Sequence, residues 1–138
     1  MAAPGDVIQI QPHERVTIVR AEPELLEVEA EYGPSSHRPP AHLHPEQAEH
    51  FEVLAGVLAV QTPDGERRYG AGETFDIPRG TPHRMGNGGD EVARVRWQVR
   101  PALDMVGFWR AIARARTPLG QLIAVLRHRR EFRLTRMR

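Results

Sequence analysis

Three histidines and one glutamate in this chain have the residue types and the spacing of a metal site. His42 and His44 lie two positions apart, Glu49 follows five residues after His44, and His83 comes after a turn-like run downstream. Side chains two positions apart on a strand point to the same face, so two imidazoles can converge on one ion. The chain has no cysteine, which leaves histidine and carboxylate as its strong metal ligands. We therefore interpret these four residues as the protein ligands of one metal ion.

The role of Glu49 depends on a break in the strand. An odd step of five residues from His44 would place Glu49 on the opposite face of a continuous strand. Pro45 lacks a backbone N–H and favours a turn, after which Glu49 and Phe51 would share the inner face. The alternative ligand is Glu46, which shares the face of His44 if the strand continues. We favour Glu49.

The elements that must position these residues are many short strands with closely spaced turn signals. Asp-Gly and Gly-Ala-Gly sequences supply two of the tight turns. This pattern is typical of an all-β sandwich or barrel. Alternating or β-branched segments predict strands over residues 7–10, 16–19, 25–32, 51–54, 57–61, 74–77 and 91–99.

The apolar period becomes helical after Pro101. Thr117 can cap a helix that has Pro118 at its first position. A first helix is predicted within residues 103–115, and a second carries apolar residues at i, i+3, i+4 and i+7, namely Leu119, Leu122, Ile123 and Leu126. We predict a barrel over residues 1–101 and a helical extension over residues 102–138, packed on the barrel or on a partner subunit.

The spacing of these residues resembles the two histidine motifs of the cupin family. The core of the first motif runs His-x-His, three or four residues, Glu, six residues, Gly, and is matched by His42, His44, Glu49 and Gly56. The second runs Gly, five residues, Pro-x-Gly, two residues, His, three residues, Asn, and is matched by Gly72, Pro78, Gly80, His83 and Asn87. The first motif of the family opens with a glycine, and Ser36 stands in that position here.

The resemblance implies a double-stranded β-helix (jelly-roll) barrel that holds one divalent transition metal and leaves coordination positions open. Imidazole suits Fe, Ni, Zn and Cu, and the carboxylate admits Mn. One anionic ligand leaves the site positive, which favours water or an anionic or enolate-like substrate. Because cupin barrels commonly pair, the resemblance also implies a homodimer. Two surfaces could be covered by the second subunit: the face that carries Arg94 and Arg96, and the apolar stripe of the last helix.

The function predicted on this basis is a metal-dependent enzyme for a small organic molecule. It would be a dioxygenase, or a lyase, isomerase or cyclase, with Glu49 also accepting a proton if it detaches from the ion. A non-catalytic module that binds a metal or a small ligand is the alternative, because a fold and a ligand set do not fix a reaction. Four large side chains could line the substrate pocket or simply fill the barrel: Phe51, Phe75, Met85 and Trp97.

Charge is divided unevenly along the chain. Residues 1–104 carry 10 arginines and 17 acidic residues, whereas residues 105–138 carry nine arginines and one acidic residue, Glu131. The basic tail could be solvated, could dock on the acidic barrel of its own or a partner subunit, or could bind nucleic acid in a regulatory protein. Sparse aromatic residues and the lack of a helix-turn-helix pattern favour solvation or docking.

The remaining features mainly exclude functions. No apolar run approaches the roughly 18 residues of a membrane span, and residues 1–6 lack the basic and apolar parts of a signal peptide, so we expect a cytoplasmic protein. Four other histidines fit no motif and are interpreted as exposed: His13, His37, His50 and His128.

Overall fold

The structure is a computed structural model that describes residues 2–35 and 38–137. Ser36 and His37 therefore lie outside the described residues. Ten strands come first: β1 (Val7–Gln11), β2 (Glu14–Glu22), β3 (Leu25–Tyr32), β4 (His42–Leu43), β5 (Ala48–Ala55), β6 (Val57–Thr62), β7 (Gly65–Gly70), β8 (Thr74–Ile77), β9 (Arg84–Asn87) and β10 (Ala93–Arg100). Two helices and a short strand follow: α1 (Met105–Arg114), α2 (Pro118–Arg127) and β11 (Arg133–Leu134).

Two antiparallel sheets enclose the core. The larger sheet has the strand order β1-β2-β3-β10-β5-β8, and the smaller has the order β7-β6-β9. β4 and β11 form a two-stranded ribbon, and a bridge between His42 and His83 joins this ribbon to the chain just before β9. Strands distant in sequence are thus neighbours, as β3 and β10 are. This arrangement confirms the predicted double-stranded β-helix with C-terminal helices.

Alternation along the strands decides which side chains enter the core. A turn at Pro45 and Glu46 separates β4 from β5, as predicted. In β5, the buried side chains are therefore Glu49, Phe51 and Val53. A slip of one residue would turn all three outward, so the burial of this face specifies the register.

Ion pairs cover the outer face of the larger sheet. Arg94 lies 3.4 Å from Glu29, and Arg96 lies 3.9 Å from Glu29 and 3.7 Å from Glu52. These arginines have carboxylate partners within their own chain, so their charge does not require a second subunit.

α1 extends the core of the barrel. Met105, Phe108 and Trp109 recur at i, i+3 and i+4, are buried, and belong to the same apolar cluster as the strands. The helix packs against β1. The Trp109 ring lies 5.0 Å from the ring of Trp97.

α2 begins as predicted but turns its larger apolar residues outward. The Thr117 hydroxyl accepts a hydrogen bond from the Gly120 N–H at 3.0 Å, and Pro118 occupies the first turn. Ala124 is the buried residue of the helix. The surface stripe, 41% to 66% exposed, consists of Leu119, Leu122, Ile123 and Leu126. Within the described ranges, neither helix has the length and apolar character needed to cross a membrane.

The expectation of exposed histidines outside the motifs is wrong for His128. Its Nδ1 donates a hydrogen bond to the Ala124 carbonyl at 2.9 Å, its Nε2 lies 3.3 Å from Asp104 Oδ2, and its side chain is 14% exposed. His13 and His50 are also half-buried, although 44% of the side chain of His50 is exposed. The contacts of His128 arise because the chain after α2 folds back onto the start of α1.

Candidate metal centre

The three predicted histidine ligands converge inside the barrel. One ring nitrogen of each lies within 4.8 Å of those of the other two. His44 Nε2 and His83 Nε2 lie 3.2 Å and 3.4 Å from Glu49 Oε1. Donors that share one ion at about 2.1 Å lie roughly 3 to 3.5 Å apart. The distances from Glu49 to His44 and to His83 are therefore those of donors on a single ion, and the ring nitrogen of His42 lies within 4.8 Å of those of the other two histidines.

Main-chain pairing brings two of the histidines together. The His42 N–H donates to the His83 carbonyl at 3.0 Å, and the His83 N–H donates to the His42 carbonyl at 2.9 Å. Residues opposed in this way project their side chains to the same face. The Gly80 N–H also donates to the His44 carbonyl at 2.9 Å, and the φ of +71° at Gly80 favours glycine. The Pro78–Pro82 turn is thus hydrogen-bonded to one proposed ligand, His44, and the next residue after the turn is another, His83.

Glu49 reaches the cluster from the larger sheet. Its Oε2 accepts a hydrogen bond from Trp97 Nε1 at 2.8 Å, which leaves Oε1 facing the histidines. Glu46, the alternative ligand, lies outside the cluster. Its carboxylate pairs with Arg130 at 3.1 Å on the exposed surface.

Each histidine ring is oriented by a hydrogen bond from its Nδ1 to a main-chain carbonyl. A carbonyl oxygen can only accept, so the proton of each neutral ring resides on Nδ1 and Nε2 carries a lone pair. Hydrogen bonds of this kind fix the orientation of histidine ligands in metal sites. The three bonds join His42 to Pro40 at 3.1 Å, His44 to Glu131 at 2.7 Å and His83 to Thr81 at 2.9 Å.

Two buried atoms at the centre of the cluster lack a hydrogen-bond partner among the described residues. They are His44 Nε2 and Glu49 Oε1, and they lie only 3.2 Å apart. With the imidazole proton on Nδ1, both atoms are electron-pair donors when the carboxyl group is ionised, and two such buried donors are unfavourable without a proton or a cation between them. The residues present therefore fit a divalent cation.

Burial shifts the pKa values of the cluster in a consistent way. It lowers the pKa of His44 to about 4, lowers the pKa of His83, and together with the two other rings lowers the pKa of His42 well below its usual range. Histidine thus stays neutral, the form that binds metal. Burial raises the pKa of Glu49 to about 7, although the electrostatic interaction with His83 and the hydrogen bond from Trp97 oppose the rise.

The cluster lines a cavity of about 290 Å³ with mainly apolar walls. Of the four predicted pocket residues, Phe51, Met85 and Trp97 line this cavity, but Phe75 is not among its lining residues. The Phe75 ring instead stacks on Phe51 at 4.8 Å and on Tyr69 at 4.4 Å. Phe75 is paired with Phe51 across β5 and β8, and it is Phe51 that reaches the cavity.

The comparison with known proteins agrees with this architecture. A family model described as a cupin domain matches residues 28–99. The chain belongs to the cupin family. No curated protein matches it in sequence.

Solved cupin structures share the fold. KdgF from Halomonas sp. has a TM-score of 0.65 at 21% identity, over 73% of this chain and 92% of its own. An RmlC-like cupin from Shewanella frigidimarina has a TM-score of 0.64 at 16% identity, over 72% of this chain and 86% of its own. The cupin domain of Cnp3 from Schizosaccharomyces pombe has a TM-score of 0.59 at 20% identity, over 66% of each chain. At these identities the likeness is one of fold alone.

Several side chains that line the cavity of this cupin were not identified from the sequence. The apolar period of α1 indicates that one face of the helix is buried, but it does not reveal that this face meets a cavity. The remaining cavity residues contact side chains that are far away in the sequence, and no local sequence pattern indicates those contacts. The residues concerned are Glu14, Tyr32, Met105, Phe108, Trp109 and Phe132.

Glu14 and Tyr32 add a second polar group to the cavity. They are directly opposed in the register of β2 and β3. Burial raises the pKa of Glu14 to about 7, while a hydrogen bond from Tyr32 acts in the opposite direction. Burial and the neighbouring Glu14 raise the pKa of Tyr32 well above its usual range. The cavity therefore contains a carboxyl group, outside the cluster of candidate ligands, whose pKa lies near neutral pH.

Proposed function

We propose that this cupin is a mononuclear metal-dependent enzyme that acts on a small organic molecule. The observation that carries the proposal is the convergence of three imidazoles on the wall of a cavity, with a carboxylate beside two of them and two buried atoms that lack a partner among the described residues. The proposed ligands of one divalent transition metal, such as Fe, Mn, Ni or Zn, are His42, His44, Glu49 and His83.

Such an ion, when bound, would supply Lewis-acid chemistry or, if redox-active, electron transfer. The residues of the chain have separate tasks. Trp97 holds one oxygen of Glu49, and the backbone carbonyls hold the Nδ1 side of each histidine. The mainly apolar wall gives the site surroundings of low dielectric constant, in which electrostatic interactions are stronger. Glu49 is the proposed proton acceptor if it detaches from the ion.

The cavity favours a substrate with an apolar body and an oxygen donor. Apolar side chains such as Phe51, Met85 and Trp109 form most of the wall. A divalent ion with one carboxylate ligand keeps a net positive charge, which attracts an anionic or enolate oxygen. Glu14 supplies a hydrogen-bonding group elsewhere on the wall.

The reaction proposed is either an oxygen-dependent oxidation or a lyase, isomerase or cyclase reaction. Structures with the same fold include an oxalate oxidase and a sugar phosphate isomerase from Silicibacter pomeroyi. The fold alone therefore does not choose between these classes.

The first experiment is elemental analysis of protein purified without a chelator, followed by turnover assays with the metal that it contains. We expect about one transition metal per chain. Oxygen uptake by the iron-loaded protein with a panel of enols, catechols and flavonols would identify a dioxygenase. Metal loading without turnover of any substrate class would favour the non-catalytic binding module, and the absence of any metal above background would contradict the proposal.

A cytoplasmic homodimer belongs to the same proposal. Because Arg94 and Arg96 already have partners in their own chain, the support for a second copy rests on the apolar stripe of α2. Light scattering on the purified protein should give twice the mass of one chain. A single-chain mass at micromolar concentration would contradict the dimer.

A further inference from the structure

The chain after α2 returns to the candidate metal centre. We call residues 128–135 the closing segment. β11 pairs with β4 so that Leu134 lies opposite His42. The Thr135 N–H donates to the Ala41 carbonyl at 3.1 Å. The closing segment therefore lies beside β4, the strand that begins with the proposed ligand His42.

The carbonyl that orients His44 belongs to the closing segment. Glu131 accepts the hydrogen bond from His44 Nδ1 at 2.7 Å, although the two residues lie 87 positions apart. The carbonyls that orient the other two rings, those of Pro40 and Thr81, lie only two positions from their histidines. The hydrogen bond that orients His44 therefore depends on the docking of a distant part of the chain, whereas the hydrogen bonds of His42 and His83 are local.

The ring of Phe132 makes the second contact with the site. It stacks on His42 with a centroid distance of 4.6 Å and an interplanar angle of 21°. It also lies 6.1 Å from the His44 ring in an edge-to-face arrangement and stacks on Phe108 of α1 at 4.7 Å. Phe132 thus links two proposed ligands to a helix in the core.

Polar contacts hold the closing segment in place. Glu131 is only 5% exposed, and its Oε2 accepts a hydrogen bond from the Asp104 N–H at 3.4 Å. His128 Nε2 lies 3.3 Å from Asp104 Oδ2, and Arg130 pairs with Glu46 at 3.1 Å. The segment is therefore fixed both to the start of α1 and to the turn between β4 and β5.

We propose that the closing segment is a positioning element of the metal centre. The carbonyl of Glu131 fixes the ring of His44, and the ring of Phe132 fixes that of His42. The inference rests on the proposed metal-binding function, and it concerns a part of the chain outside the family match at residues 28–99. Because thermodynamic coupling is reciprocal, docking of the segment strengthens metal binding and metal binding strengthens docking by the same factor.

The test uses the full-length protein with Co²⁺ as the probe, since its visible absorption reports ligand geometry. Phe132→Ala should weaken Co²⁺ binding by about tenfold or more, the range found for groups that orient metal ligands, and should change the absorption band. Phe132→Tyr, which keeps the aromatic ring, should have the Co²⁺ affinity and the absorption band of the wild type. The control is Val7→Ala on β1, because Val7 is 57% exposed and lines no part of the cavity; it should bind Co²⁺ like the wild type.

Tryptic cleavage provides a second readout that does not depend on activity. The closing segment contains Arg129, Arg130 and Arg133, and cleavage there requires the segment to open locally. Co²⁺ should slow this cleavage in the wild type and slow it less in Phe132→Ala.

Unchanged Co²⁺ affinity and absorption in Phe132→Ala, with a wild type that binds Co²⁺, would overturn the positioning role and leave the proposed function intact. A wild type that binds no Co²⁺ would contradict the proposed function and the positioning role with it. If Phe132→Ala does not fold, Phe132→Leu carries the same expectation, because it removes the ring and keeps most of the apolar volume.

Discussion

Glu49 Oε1 lies 3.2 Å from His44 Nε2, and neither atom has a hydrogen-bond partner among the residues that the structure describes. The proton of His44 is committed to the Glu131 carbonyl on the other side of the ring. When Glu49 is ionised, two electron-pair donors are thus buried face to face, an arrangement that a proton or a cation between them would stabilise. The proposed metal site of this cupin is centred on these two atoms.

Removal of a histidine ligand should abolish metal loading. His44→Ala removes a lone pair at the centre of the cluster, and His42→Ala removes one at its half-buried side. We expect elemental analysis to find less than about a tenth of the wild-type metal in either variant. The control is His50→Ala, because the side chain of His50 is 44% exposed and pairs with Asp76 on the outer face of β5; it should retain full loading. Equal metal content in all variants would mean that the ion binds elsewhere.

Trp97→Phe should weaken metal binding while keeping the barrel packed with an aromatic ring at this position. The substitution removes the hydrogen bond that holds Glu49 Oε2 and keeps an aromatic ring beside Phe51. Loss of such an orienting bond typically lowers metal affinity by about 10- to 100-fold. Competition with a chelating dye measures the change. An affinity equal to that of the wild type would show that the bond does not orient the ligand.

Glu14 should make the stability of the metal-free protein depend on pH. The pKa of Glu14 is about 7 in the folded protein, against an ordinary value of 4.5. Because the folded state holds this proton more tightly, the stabilisation from protonated Glu14 is fully present below about pH 4.5 and is lost as the pH rises through about 7. Glu14→Gln stays neutral, so its free energy of unfolding should rise relative to that of the wild type between about pH 5 and pH 8.

Urea denaturation in the presence of a chelator measures this difference. Glu24→Gln, at an exposed position, controls for the loss of one surface carboxylate. A gap between Glu14→Gln and the wild type that stays constant over the pH range would rule out the titration of Glu14.

Gly56→Ala should destabilise the barrel through a steric clash. Gly56 has a φ of +74°, and an added Cβ would lie 2.7 Å from the Val92 carbonyl oxygen. Gly80→Ala is a matched control, since Gly80 has a similar φ of +71° and an added Cβ would meet nothing within 4 Å. We expect Gly56→Ala to lower the free energy of unfolding by more than the roughly 1 kcal/mol that positive φ accounts for in Gly80→Ala. Equal losses in the two variants would mean that the backbone relaxes around the clash.

Much of the barrel and the positions of the clustered side chains were predictable from the sequence, because both depend on local patterns. Alternation along the strand predicts that Glu49 and Phe51 share one face of β5, and the turn at Pro45 explains why this is the inner face. Alternation could not show which inner side chains meet a cavity. Phe75 is buried as its pattern indicates, yet it packs between Phe51 and Tyr69 instead of lining the cavity beside the proposed metal ligands.

The closing segment was not predictable, because nothing in its local sequence indicates its contacts. β11 has two residues, too few for any periodicity, and the bond from His44 to Glu131 spans 87 positions. In α2 the helical period was correct, but a period does not reveal which face is covered. Ala124 faces inward there, and Leu119 is 66% exposed.

A crystal structure of the metal-loaded protein, with anomalous scattering measured at the absorption edge of its metal, tests the central claim most directly. The account predicts one anomalous peak per chain within bonding distance, about 2.0 to 2.3 Å, of Nε2 in each of three histidines and of Glu49 Oε1. An anomalous peak at any other position, or no peak between His42, His44, Glu49 and His83 in protein shown to contain the metal, would contradict it.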